Sequence, residues 1–324
     1  MTKHIFPTLI IATLLFLQTT NAKVWTVSNK TADKVDFTTV DAAQSSANSG
    51  DTLYVLGSGI SYGDITITKK LTLIGPGYFL AENSNTQARL SSAKLGSVTI
   101  SHTAQGAVLM SFEVTGTVII NANDVIIKRN YFYTVANNST IIIANDANFV
   151  SNVIIIQNFI KSAGSSNIDI IYAITNQSAN VVISNNFIQR NYSAYYSLHT
   201  GNNEGYVICN NIMNGQIYIF DGYVQNNIFR GEVFVYGSNN IVSNNVTDNG
   251  QVFVGTGSTD GQWQLKPGSP AIGAGVGGVD CGMFGGDSPY VLSGIPSIPT
   301  IYFFNAPLEG GNQLPVQIKI KSNK

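Results

Sequence analysis

Residues 125–132 read VIIKRNYF, 153–160 VIIIQNFI, 181–188 VVISNNFI and 206–213 YVICNNIM. Two shorter relatives follow, YVQNNIF at 223–229 and IVSNNV at 241–246. Each is a β-rich run, then Asn, then an apolar residue. The aligned positions are Asn130, Asn158, Asn186, Asn211, Asn227 and Asn245, spaced by 28, 28, 25, 16 and 18 residues. Further strand-like runs lie between them at 117–120, 141–143, 168–174, 216–220, 233–236 and 251–254.

Short β-branched runs at these intervals, with no helical period between them, do not suit an α/β fold. The runs are too short and the repeat too regular for a sandwich. Stacked coils explain both features. Each coil gives two or three short strands, and each strand pairs in parallel with its equivalent in the next coil, about 4.8 Å away. Asn suits the bends because it tolerates left-handed backbone, and stacked Asn amides bond to one another along an axis. The uneven spacing is expected, because insertions into a coil fall in surface loops.

Composition agrees. Hydrophobic residues make up 44% of the 324, enough for a large core, which excludes disorder over most of the length. Only 11% are charged, and the 35 Asn equal all charged side chains together. A net charge of −1 lacks the basic footprint that nucleic acid needs.

The repeat resembles the right-handed parallel β-helix, the pectate-lyase-like superfold, over about residues 50–255. The implied class is all-β, a single solenoid. Residues 35–75 are similar to the start of many such proteins, with Phe37-Thr-Thr-Val, Gly50-Asp-Thr-Leu, Gly59-Ile-Ser-Tyr and Leu71-Thr-Leu-Ile-Gly. Thr38 and Asp41 have capping-box spacing, so 39–48 is read as a short helix covering the open end of the first coil. The solenoid with this cap is assigned to 23–255. Residues 256–324 are read as a C-terminal cap plus a β-hairpin appendage, with strands at 298–304 and 315–322. The closing run from Gln262 through Pro296 is similar to one in exported β-helix proteins of Bacteroidetes.

Residues 1–22 read as a secretory signal peptide. A short basic start precedes an apolar run at 5–17, and the small residues Thr20 and Ala22 mark a cleavage site. The run is shorter than the roughly 20 residues of a membrane-spanning helix. No transmembrane segment is expected, and the protein is expected to be secreted or held at the cell surface. Export permits a disulfide between Cys209 and Cys281; the spacing says nothing about their contact, and two unpaired, partly buried thiols are the expectation. No metal-binding spacing and no cofactor motif occurs.

Enzymes on this superfold act on polysaccharides, and their signatures are absent. Polygalacturonase-type hydrolases would need Asn-Thr-Asp, paired Asp, Gly-His-Gly and Arg-Ile-Lys elements; pectinesterases a Gly-x-Asp-Phe-Ile-Phe-Gly element; pectate lyases clustered acids for calcium. What remains are scattered charges. Lys161, Arg190 and Arg230 each follow a ladder Asn by three or four residues. In register they would form a basic line able to hold a uronate or take its proton; solvated corner side chains are the plainer reading. Among acids for glycoside hydrolysis, Asp169, Glu204, Asp221, Glu232 and Asp248 form no motif, and only stacking would bring Asp221 near Glu204. The insertion at 189–205 carries Tyr192, Tyr195, Tyr196 and His199. In a loop these rings would stack on sugars, with Tyr131, Tyr133 and Tyr172 extending the face; the alternative is that they pack the loop onto the coil wall.

Three functions stay open at this point. One is a non-catalytic module binding extracellular polysaccharide, the second a polysaccharide lyase or, behind it, a glycoside hydrolase. The third is a structural or adhesive protein with a cell-surface protein partner. Fold resemblance alone carries the carbohydrate part.

Overall fold

The computed structural model describes residues 22–134, 138–146, 148–162, 168–191, 196–307 and 313–323. The signal-peptide reading therefore lies outside the described residues, Ala22 excepted. No helix among them is long and apolar enough to cross a membrane.

The chain winds as a right-handed parallel β-helix, the hand taken by nearly all crossovers between parallel strands. Three parallel sheets of ten, eight and eight strands run along it. From Ile126 to Tyr236 each coil visits the first sheet, turns at a ladder Asn into the second, and reaches the third before returning. Each coil pairs with the next; Ile127 lies beside Leu109 on one side and Ile155 on the other. Alternation then sorts the side chains. Leu73, Leu109, Ile127, Ile155, Ile183, Ile208 and Val224 form one inward column of the first sheet, all buried.

The ladder is continuous. Asn130 Nδ2 donates to Asn158 Oδ1 at 3.2 Å, Asn158 to Asn186 at 3.0 Å, Asn186 to Asn211 at 3.0 Å, Asn211 to Asn227 at 3.0 Å and Asn227 to Asn245 at 2.9 Å. The same Oδ1 atoms also accept the backbone N–H of the preceding coil's Asn. The left-handed residue of each bend is not the ladder Asn but the one before it: Arg129, Gln157, Asn185, Asn210, Asn226 and Asn244 all have φ between 53° and 58°. Two tasks assigned to one Asn are thus divided between neighbours, which explains the recurring Asn-Asn pairs.

Those six outward residues hold a belt. After the last coil the chain turns back and runs along the outside of the second sheet. Asn244 Nδ2 donates to the Ala274 carbonyl, Asn226 Oδ1 accepts from Val276 N–H, and Asn210 Nδ2 donates to the Asp280 carbonyl. Asn185 Nδ2 reaches the carbonyls of Met283 and Gly285, Gln157 Nε2 those of Ser288 and Pro289, and Arg129 Nη1 that of Ile295. The segment covers Phe159, Phe187, Ile212 and Ile228, which would otherwise face water, with Val252, Ala271, Met283 and Tyr290. Close approach demands glycine at Gly282, where a Cβ would stand 2.4 Å from Ile228 Cδ1. The belt lies along the side of the stack, and Val242, at an inward position of the last coil, is 50% exposed.

At the other end a helix spans Val40–Ser46, with Thr39 as its N-cap; Thr39 Oγ1 accepts from Ala42 N–H at 3.2 Å. The cap is one residue later than the Thr38 spacing implied. Val40 and Ala43 join the core over the end strands Val24–Val27 and Ile65–Ile67. Asp51 ties down the first strand, accepting from the N–H of Lys23 and of Asn48 and from Trp25 Nε1, each at 2.9 Å. Those bonds hold its carboxyl below the ordinary 3.8. The folded-state value is depressed, so the stabilisation is complete above the unfolded value and is lost as pH falls through the folded one. Trp25 emission is expected to change below pH 3.8 while Asp51→Asn shows that changed emission already at neutral pH; an identical acid titration in the variant would refute this.

Cys209 and Cys281 are both thiols. Burial raises both, Cys281 to about 11. Antiparallel strands Thr300–Asn305 and Gln317–Lys321 form the terminal hairpin.

Candidate functional site

The third sheet carries an outward column that changes character along the stack. In register it runs Thr66, Thr99, Ile119, Ile142, Tyr172, His199, Tyr218, Tyr236. The inward neighbours on the same strands, such as Ile171, Leu198 and Ile217, are fully buried, so the pleat fixes the rings to the outer face.

Tyr196 and His199 belong to the strand Tyr196–His199 and not to a loop. The strand pairs with Ile171–Ala173 and Gln216–Tyr218, with an irregularity between Tyr196 and Leu198 that keeps Tyr196 over the same face. His199 then meets Tyr172 at 5.4 Å, Tyr196 at 5.1 Å and Tyr218 at 4.9 Å between ring centroids. Tyr196 lies 5.4 Å from Tyr218 and 5.9 Å from Tyr236, and Phe220 packs 5.1 Å from Tyr218. Most pairs are tilted or edge-on, the geometry the ring quadrupole favours. Burial raises the Tyr196 phenol, and its Tyr236 and Tyr218 neighbours add to that.

One carboxylate–imidazole hydrogen bond sits in this cluster. His199 Nδ1 donates to Asp169 Oδ2 at 2.8 Å; the side chains are 28% and 15% exposed. His199 has no sequence neighbour able to do this, because Asp169 comes from the preceding coil.

The other expected site residues separate. Tyr192 and Tyr195 lie outside the described residues. Tyr131 and Tyr133 belong to the second sheet, where Tyr131 packs on Phe79 at 4.7 Å, so they do not extend the ring column. Ser162 and not Lys161 pairs with Arg190, which puts Arg190 out of phase with Lys161. Arg190 is buried, and its Nη1 donates to the Tyr196 carbonyl at 2.5 Å. Arg230 stacks on Trp263, Cζ 4.1 Å from the ring centroid, and burial lowers its pKa. The basic line is not formed. No group of three His, Cys, Asp or Glu able to hold a metal exists among the described residues. A depression of about 690 Å³ lies elsewhere, between the hairpin and the first coils, and its Arg89 is bound to Asp33 at 2.6 Å.

No family model and no curated protein matches this chain. Among solved structures, the crystal structure of pectate lyase Pel9A is similar to it, at 13% sequence identity and a TM-score of 0.41, over 81% of this chain and 96% of that chain.

Proposed function

We propose that this protein is exported and binds an extracellular polysaccharide without cleaving it, the sugar chain lying along the stack on the third sheet. The observation that carries this reading is the in-register column Tyr172, His199, Tyr218 and Tyr236, with Tyr196 packed among them. Rings with an apolar body and a polar tip suit pyranose faces and hydroxyls. They recur once per coil, about 4.8 Å apart, close to the length of one sugar unit.

The test is a panel of immobilised neutral and acidic polysaccharides probed with the protein. Tyr218→Ala is expected to weaken binding about tenfold, on the order of 1.4 kcal/mol. Tyr133→Ala, on the second sheet, is expected to leave it unchanged. Absence of binding to every polysaccharide, or equal losses in the two variants, would overturn the proposal.

A second reading, catalysis on the bound chain, rests on the Asp169–His199 pair. The carboxylate fixes the imidazole through Nδ1 and leaves Nε2 to take a proton. Absorbance of unsaturated uronates that appears with the protein and vanishes in His199→Ala would establish it.

A further inference from the structure

The terminal hairpin carries apolar side chains without a core to bury them. Ile318 is 48% exposed, Phe304 57% and Ile320 64%, and Ile301, Phe303 and Val316 are exposed beside them. The two edges of the hairpin differ. On the edge of Thr300–Asn305, the Ile301 carbonyl accepts from Ala88 N–H at 2.8 Å. Among the described residues, no backbone hydrogen bond leaves Gln317–Lys321 except to its hairpin partner.

The register says which groups are open. Ile301 pairs with Ile320 and spends its carbonyl on Ala88, away from the partner strand. That makes it a non-hydrogen-bonded pair, so the N–H and C=O of Ile320, and of Ile318 two residues before, point to the open edge. The second strand thus offers an unpaired main-chain edge flanked by exposed Ile.

Three occupants compete for such an edge, and the charges decide. The described hairpin segments, 300–307 and 313–323, contain Lys319 and Lys321 and no acid. Pairing of two copies about a two-fold axis at Lys319 or Ile320 sets lysine opposite lysine, which is unfavourable. Entry into a bilayer would strand the unpaired N–H and C=O groups in hydrocarbon. An extended protein segment satisfies the edge, and acidic side chains alternating with apolar ones satisfy the rest.

We propose that the strand Gln317–Lys321 is a docking edge that takes one acidic, apolar-alternating strand of a partner protein. The proposal is independent of the sugar-binding reading.

The probe is a fluorescein-labelled peptide, Glu-Val-Glu-Val-Glu-Val-Glu, read by anisotropy against the full chain, with the Lys-for-Glu peptide as control. Saturable binding of the acidic peptide, about tenfold or more tighter than the basic one and weakened by salt, is expected. Ile320→Pro removes one outward N–H where an edge strand tolerates Pro, and is expected to lose about tenfold. Unchanged far-ultraviolet circular dichroism would show that the variant folds. Lys319→Glu combined with Lys321→Glu, which cannot break the backbone ladder, is expected to reverse the peptide preference. Equal affinity for the two peptides overturns the proposal, as does indifference to both variants. So does self-association in sedimentation equilibrium that Ile320→Pro abolishes, or flotation with phosphatidylglycerol-containing vesicles in the absence of peptide binding.

Discussion

Asn158→Ala is expected to lower the unfolding free energy by about 4 kcal/mol. Asn158 is fully enclosed. Its Oδ1 accepts from Asn130 N–H at 2.9 Å and from Asn130 Nδ2 at 3.2 Å. Its Nδ2 donates to the Ile127 carbonyl at 2.9 Å and to Asn186 Oδ1 at 3.0 Å. Alanine removes all four bonds and leaves a backbone donor, an amide donor and a carbonyl stranded, each at a cost of about 1–3 kcal/mol when water cannot reach it. Asn186 Oδ1 is less affected, since it keeps the N–H of residue 158 at 2.8 Å. Asn245 stands at the open end and is half-buried, so Asn245→Ala is expected to lose only about 1 kcal/mol. Urea unfolding of the two variants measures the contrast. Equal losses would mean that burial does not set the value of a ladder bond.

Asp260→Ala is expected to cost about 3 kcal/mol and to release the belt. The carboxylate is fully buried and holds both ends of the returning segment against the loop after Thr72–Ile74. It accepts from Ser293 N–H at 2.6 Å, Asn83 Nδ2 at 2.9 Å, Ser258 Oγ at 3.0 Å and Tyr290 Oη at 3.2 Å. Tyr290 Oη is in turn 2.7 Å from Tyr78 Oη, and burial raises both phenols well above 10. Without the carboxylate, Ser293 N–H loses its acceptor and the two phenols lose the charge that orients them. Limited proteolysis is expected to cut between 256 and 296 in the variant before any coil is cut. A native cleavage pattern in Asp260→Ala would sink this prediction. Trp263 lies three residues from Asp260 and stacks on Arg230, so its emission is expected to shift with the cleavage.

The coils were legible because the ladder Asn recurs at six successive bends and because apolar alternation sets inside from outside. What could not be read was anything that depends on register between distant coils. Tyr172 and His199 are neighbours only because Ile171 pairs with Leu198. Asp169 finds His199 for the same reason. Tyr196 looked like part of a loop, since residues 191–199 carry one polar insertion with no visible period; the pairing with Gln216 shows the strand. Arg190 and Lys161 looked equivalent by distance from a ladder Asn, yet alternation sends residues one step apart to opposite faces. The belt was hidden for a different reason. It is held through backbone groups, which every residue has, and its Gly-rich stretch at 275–286 carries no period. The visible half of that signal was the residue before each ladder Asn.

A stack in which every coil touches only its neighbours behaves as a one-dimensional array, whose ends fray independently of its middle. The belt alters that statistics. It joins the coil of Asn244 to that of Arg129 through one continuous piece of chain, so loss of any middle coil also removes the holders that keep the far ones in line. A linear array becomes a closed circuit, and intermediate states with a few melted coils lose their advantage. Because the six holders precede the belt in the chain, the circuit closes only after all six coils have reached the correct alignment, which makes a segment outside the coils the one that fixes their cooperativity.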